Sequence, residues 1–263
     1  MATTPTEALG LYVFGITVVG VDCPAEIVDH GRLRAVVRAE SLEQYEPDAL
    51  EAKLRDDRSW LEQQLRRHDA VLSAVQAAGP LVPFRFGTIF RSEAELRAVL
   101  AASEGQLTRR LEELRGAAEW GVKTWVDGPR LRRWLEEHDD HARSLRAGLD
   151  AGDLPAGRRY LLEKQLDRHV ASEAASLALE RAHETHAVLA EHARESCTDR
   201  PSGYDDRGEE WPVLRAAYLL EDGRREAFEQ ALEVARKREA ELGLDYALSG
   251  PWPPYNFVDP PGA

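Results

Sequence analysis

Hydrophobic positions along this chain change period several times, and each change marks an element. Leu11–Val19 (LYVFGITVV) is apolar on both faces and rich in β-branched and aromatic residues, which predicts a strand covered on both sides. Its Gly15 marks a bulge or a close backbone approach. After the turn Asp22-Cys23-Pro24, Leu33–Ala39 reads as a second strand with arginines on one face. The period then shifts to three and four. Helices are predicted over Pro47–Asp56 and Ser59–Ala78. In the second, Leu61, Leu65, His68, Leu72 and Val75 form the core-facing stripe, and Gly79 takes the C′ position. Glu93–Arg115 repeats the pattern through Leu96, Val99, Leu100, Leu107, Leu111 and Leu114. A capping box, Ser92 to Glu95, opens it and Gly116 stops it.

Between those helices lies Gly79–Phe90 (GPLVPFRFGTIF), the stretch around which the first half of the chain is organised. Leu81–Phe86 reads as a strand apolar on both faces, interrupted by Arg85, which must pair or reach the surface. Pro83 suits an edge or a strand start, and Gly87-Thr88 ends the strand. Glu119–Asp127 (EWGVKTWVD) is the next strand. Trp120, Val122, Thr124 and Val126 share one face; Glu119, Gly121, Lys123 and Trp125 share the other. Glu119 and Lys123 read as members of a same-face ion-pair network rather than as an acid/base pair. This order of elements predicts an α+β layer, with ferredoxin-like topology as one candidate.

The middle changes character. Pro129–Leu149 reads as one charged helix with Leu131, Trp134, Leu135, Ala142 and Leu145 on its apolar side. After a Gly/Pro link, Gly152–Gly157, the pattern Arg158–Ser196 has no internal breaker and would run about 58 Å as one helix. Such length without caps predicts a coiled-coil-like arm or a spacer. Cys197–Glu210 reads as a mobile polar loop. Val213–Leu220 is then a strand, Arg224–Leu242 a helix with Phe228, Ala231, Leu232 and Ala235 inward, and Leu244–Leu248 a closing strand after Gly243. Ser249–Phe257 (SGPWPPYNF) breaks every period. It is equally a core plug or a proline-aromatic contact site. Asp259–Ala263 is expected to be disordered. The expected architecture is α+β, with two small α+β (ferredoxin-like) domains joined by a long helical segment. Its boundaries are an N-terminal domain at 1–128, a helical arm and loop at 129–208, and a βαβ unit with its tail at 209–263.

Composition narrows the function. A chain of 263 residues accommodates two modest domains. Its formal net charge of −13 argues against nucleic acid or an anionic membrane as partner. No stretch is apolar for long enough to span a bilayer, and MATTPTEALG has neither the basic nor the apolar region of a signal peptide. A soluble, cytoplasmic protein is expected, with Cys23 and Cys197 as reduced thiols. His68, on an apolar stripe, reads as a hydrogen-bonded core residue rather than a general base. His183, His186 and His192 lack an HExxH spacing and read as a solvated helix face. No nucleophile–base pair, phosphate loop or metal spacing appears, so neither catalysis nor a cofactor is expected.

Three segments resemble one family when taken together and in this order. They are LYVFGI; PLVPFRFGTIF with its leucine-spaced helix and EWGVK; and SGPWPPYNF. They are similar to the gas vesicle proteins of the GvpL/GvpF family, whose usual pattern His68 also fits. The resemblance implies an N-terminal α+β domain and a C-terminal ferredoxin-like one with helices attached, without enzymatic activity or cofactor. It implies an accessory or minor structural protein of gas vesicle formation, located in the gas vesicle or the cytoplasm. Its implied partners are the small hydrophobic shell protein and other gas vesicle accessory proteins. Phe84, Arg85, Phe86, Phe90, Trp252 and Tyr255 are the candidate contact residues, with plain core packing the favoured alternative for each aromatic. His68, Gly87, Glu119, Trp120, Lys123, Gly250 and Pro251 are expected to define the fold. A reading from another class is a small-molecule-binding regulatory module of ferredoxin-like type.

Overall fold

The computed structural model describes residues 8–152, 154–199 and 209–261. The chain divides into two units: Met1–Glu119 with Pro251–Ala263, and Trp120–Gly250. This differs from the expected three-part division. The long helix belongs wholly to unit 2, and the segment after Gly250 belongs to unit 1.

Unit 1 is built on β1 (Leu9–Val18). One edge of β1 pairs antiparallel with β3 (Leu33–Ser41), which pairs in turn with β2 (Glu26–His30). The other edge is shared by two very short antiparallel strands, β4 (Val82–Pro83) and β5 (Ile89–Phe90). The expected single strand Leu81–Phe86 is therefore split. The chain leaves the sheet after Phe84, whose N–H still donates to Phe14 O at 2.8 Å. It turns at Arg85–Thr88, where Gly87 takes φ 87°. Only glycine adopts that region without strain. Pro83 sits on an edge strand, where its missing N–H costs no ladder bond.

The bulge expected at Gly15 is present. The β1–β3 register jumps from Val13↔Val37 to Gly15↔Val36, leaving Phe14 as the extra residue. A Cβ on Gly15 would lie 2.7 Å from Leu81 Cδ1 and 2.8 Å from Val82 O, so the close approach is also real. The hairpin strand β2 escapes the sequence pattern. Its EIVDH has one buried residue in five, and Arg34 fixes it by donating to both carboxylate oxygens of Asp29.

Helices α1 (Pro47–Asp56), α2 (Arg58–Ala78) and α3 (Glu93–Leu114) follow the predicted periodicity. Asp57 caps α2, and the Ser92 hydroxyl accepts from Glu95 N–H to cap α3. Of the α2 stripe, His68, Leu72 and Val75 are buried while Leu65 is exposed. Gly79 is extended, at φ 176°, rather than left-handed.

Unit 2 holds a sheet of order β7-β8-β6-β9: β7 (Glu195–Asp199), β8 (Glu210–Glu221), β6 (Ala117–Asp127) and β9 (Leu244–Trp252). From Trp120 onward, β6 alternates buried and less buried positions as predicted. The expected helix Pro129–Leu149 is two helices, α4 (Gly128–His138) and α5 (Asp140–Asp150). Asp139 breaks it: its Oδ1 accepts Ala142 N–H at 2.7 Å and so caps α5.

The long helix α6 runs over Ala156–Ala190, shorter than expected. The chain then enters β7, which lay partly in the expected helix and partly in the expected loop. Residues 200–208 of that loop lie outside the described residues. The arm or spacer expectation does not hold. Leu166, Val170, Ala174, Ala178, Ala182 and Leu189 of α6 are buried in one cluster with Val122 of β6, Tyr218 of β8 and Phe228 of α7 (Arg225–Glu239). Small residues every fourth position allow close approach, so alanines that suggested solvation mark a packed face. Ala178 is fully buried. Ala178→Leu is accordingly expected to cost about 1–3 kcal/mol in urea denaturation. A solvated position would change by less than about 0.5 kcal/mol.

Candidate functional site

The polar centre of unit 1 is a buried imidazole. His68 lies on the inner face of α2, 2% exposed, and both ring nitrogens are engaged. Nδ1 is 2.7 Å from the Tyr12 hydroxyl on β1. Nε2 is 2.9 Å from the Tyr255 hydroxyl, 187 positions away in sequence. Gly87 N–H donates to the Tyr12 oxygen at 3.4 Å. All of these are satisfied when Tyr12 donates to Nδ1 and a neutral imidazole donates from Nε2 to Tyr255. Phe14 and Phe86 pack against the imidazole, with ring centroids 5.7 and 5.9 Å from its own. The Phe14 bulge helps make this possible, because Tyr12 and Phe14 both reach the same histidine.

Burial holds His68 below its ordinary value of 6.5, with the Asp69 charge opposing. Burial likewise pushes the hydroxyls of Tyr12 and Tyr255 above their usual range. An imidazole enclosed by two unionised phenols and two aromatic rings acts as a structural acceptor and donor.

The same segment that brings Tyr255 is held at three further points. Gln76 Nε2 donates to Trp252 O at 3.1 Å. The Glu119 carboxylate accepts Asn256 N–H at 2.9 Å and Asn256 Nδ2 at 2.6 Å. Arg110 donates to Phe257 O from Nε at 2.9 Å and Nη2 at 2.6 Å. Glu119 is buried, and desolvation raises its carboxyl despite the two Asn256 donors. The ion-pair reading for Glu119 and Lys123 is thereby corrected. An amide side chain and a backbone N–H satisfy the carboxylate, while Lys123 is exposed.

The remaining expected residues separate by burial. Phe84 and Phe90 are core residues, 0% and 5% exposed, with ring centroids 6.3 Å apart. Arg85 is exposed, as its position in an apolar run required, while Phe86 and Tyr255 are half-buried. Trp252 is 48% exposed. Trp120 is buried in unit 2 with the Arg225 guanidinium 4.6 Å from its ring centre. Gly250 has φ 131° and Pro251 is exposed. His186 is tied to the Tyr218 hydroxyl at 2.9 Å, His183 is exposed, and no metal-holding cluster occurs among the described residues.

Sequence reasoning missed Tyr12, Gln76, Arg110 and Asn256. The available signal was Tyr12 itself: a tyrosine in a strand apolar on both faces needs a partner for its hydroxyl.

The fold and site define a two-unit α+β protein with a segment distant in sequence completing its first unit. The chain belongs to the gas vesicle synthesis protein GvpL/GvpF family, whose family model matches residues 10–259. It is 31% identical to gas vesicle protein L of Streptomyces sp. (strain CB03234) over 238 residues, spanning 89% of this chain and 83% of that one. Gas vesicle protein F of the same strain is 28% identical over 238 residues, covering 90% and 88%. Among solved structures, GvpF from Anabaena sp. PCC7120 superimposes with a TM-score of 0.68 at 18% identity, over 95% of this chain and 98% of that chain. That likeness establishes a shared fold.

The buried pair has opposed pH dependences. His68, lowered on folding, stabilises above its ordinary 6.5 and loses that contribution as pH falls through its folded value. Glu119, raised on folding, loses stability as pH rises from its ordinary 4.5 through its folded value. Melting temperature is expected to fall between pH 7.5 and pH 5.5 through His68. His68→Gln should flatten that fall, and Glu119→Gln should steepen it.

Proposed function

We propose that this chain acts in gas vesicle formation as a non-enzymatic accessory or minor structural component that binds the small hydrophobic shell protein during assembly. Other gas vesicle accessory proteins are its further partners, and its place is the gas vesicle and the cytoplasm around it. The observation that carries this reading is Trp252. It is a large apolar side chain left 48% exposed, on backbone that Gln76 holds. An indole on fixed backbone loses little entropy when a partner covers it. Arg85 and Phe86, on the turn beside β4, extend the candidate contact; Phe84 and Phe90 act as its framework.

The chemistry suits such a task. A small apolar subunit aggregates in water unless its apolar face is covered. A host with net charge −13 stays soluble, repels copies of itself and presents apolar contact locally. No helix among the described residues is long and apolar enough to cross a membrane. The occupation of both His68 nitrogens by tyrosines supports a structural role for that residue. The reading also takes unit 2 as ferredoxin-like, since, with α4, α5 and α6 together filling the first crossover, its elements follow β-α-β-β-α-β and its strands the order β7-β8-β6-β9.

The test is co-purification with the co-expressed small shell protein. Trp252→Ala is expected to weaken retention on the order of tenfold or more, with the melting temperature unchanged. Phe84→Ala should instead lower stability by about 3–5 kcal/mol. Full retention by a folded Trp252→Ala variant would remove Trp252 from the contact.

A further inference from the structure

The sheet of unit 1 ends at β2. One edge of β2 pairs with β3, and no strand lies against the other among the described residues. The main-chain groups of a strand point alternately to its two edges. Asp29 sets the phase here. Its carbonyl accepts from Arg97 Nη1 of α3 at 2.5 Å, so its main chain faces away from β3. The tight turn after β2 agrees: it closes on the pair His30↔Leu33, which assigns the ladder bonds to His30, Val28 and Glu26. Ile27, two residues before Asp29, presents its N–H and C=O to the open edge in the same way. Ile27 N–H, Ile27 C=O and Asp29 N–H therefore lie on that edge without a strand to meet them, and the fourth group, Asp29 C=O, is held by Arg97.

The side chains around the edge select what can lie there. Ile27 is 44% exposed, an apolar side chain on the rim rather than in the core. Val21–His30 holds Asp22, Glu26 and Asp29 and no lysine or arginine. Arg34 is engaged with Asp29, while Glu26 forms no ion pair among the described residues. Exposed edges of this kind are commonly blunted by a lysine or a proline, and β2 has neither.

We propose that the free edge of β2 is a strand-addition site for an extended basic segment of a partner protein, with Arg97 as its latch. Such a segment takes main-chain hydrogen bonds from Ile27, lays a β-branched side chain beside it, and brings lysine or arginine to Glu26 and Asp22. An acidic segment is repelled by the same carboxylates. The net charge of −13 disfavours a second copy of this chain as occupant for the same reason. Arg97 decides how far the pairing runs. While it holds Asp29 O, the added strand is limited to the other three groups. When it turns away, with Glu93 still within reach of its Nε at 2.7 Å, the fourth group joins the ladder. The proposal uses other residues than the Trp252 contact, so the two stand or fall separately.

The probe is a fluorescently labelled Lys-Val-Thr-Val-Thr-Val-Lys peptide, titrated into the full chain at low salt. Saturable anisotropy is expected, with the amide hydrogens of Ile27 and Asp29 slowed in hydrogen exchange. The same peptide with glutamate in place of lysine, and the same peptide N-methylated throughout, should each bind at least about tenfold more weakly, the first for its charge and the second for its lost N–H donors. Arg97→Ala should tighten binding about two- to tenfold, as one added main-chain hydrogen bond does. Ile27→Pro, which loses an N–H that serves no ladder bond, should keep the fold and abolish binding. Absence of saturable binding would overturn the proposal, and so would exchange protection outside β2. Equal binding of the acidic or the N-methylated peptide would also overturn it, and an Arg97→Ala affinity no higher than that of the unaltered chain would overturn the latch.

Discussion

Unit 1 depends on satisfying one buried imidazole. His68 meets a strand 56 positions before it and a segment 187 positions after it, and leaves neither ring nitrogen without a partner. A buried polar ring with a missing partner costs about 1–3 kcal/mol, so arrangements that omit either segment are disfavoured. Hydrophobic burial of Leu72, Val75, Phe14 and Leu81 supplies the bulk of the driving force but tolerates sliding. The Tyr12–His68–Tyr255 chain does not. Its contribution is to select one register of β1, one rotation of α2 and one path for residues 251–257.

The geometry around that ring follows from a local irregularity. The extra residue in β1, Phe14, lets two nearby aromatic side chains converge on His68, while Gly15 admits Leu81 and the edge strand. The edge of β1 is shared by Val82–Pro83 and Ile89–Phe90, and between them the chain turns at Arg85–Thr88 with Arg85 at the surface. A bulge, a proline at the end of β4 and a glycine turn thus interrupt a buried strand edge with a loop. The opposite end of the clamped segment projects Trp252 by similar means, with backbone fixed and side chain left outside.

What could be read from the sequence follows from the range of the interactions involved. α1, α2 and α3 were legible because their signals are local: the Ser92 capping box and apolar residues at helical spacing. The bulge at Gly15 was legible for the same reason. Strands β2 and β7 were not, since EIVDH and ESCTD carry little alternation and exist because β3 and β8 offer them hydrogen-bonding edges. Asp139 looked like one more charge on a helix surface, but its carboxylate ends one helix and starts another. The alanines of α6 were ambiguous because small residues suit both solvent and tight packing. For the candidate site, His68 was placed correctly on a core face, and residue type could not reveal its partners. Glu119 waits for Asn256, 137 positions away, and no local pattern announces a pairing of that range. Nor does aromatic character separate Phe84, wholly buried, from Trp252, half in solvent.

The placement of residues 251–257 also sets an order of events during synthesis. A chain emerging from the ribosome presents β1 through α3 first, yet the C-terminal contacts of His68, Glu119 and Arg110 follow only after all of unit 2. Unit 2, at Trp120–Gly250, is complete in sequence before them. The domain that is made first is therefore the last to be finished, and a chain interrupted anywhere within unit 2 carries an N-terminal half without the contacts that Tyr255, Asn256 and Phe257 make to it. Full-length synthesis is in this way written into the stability of the first domain.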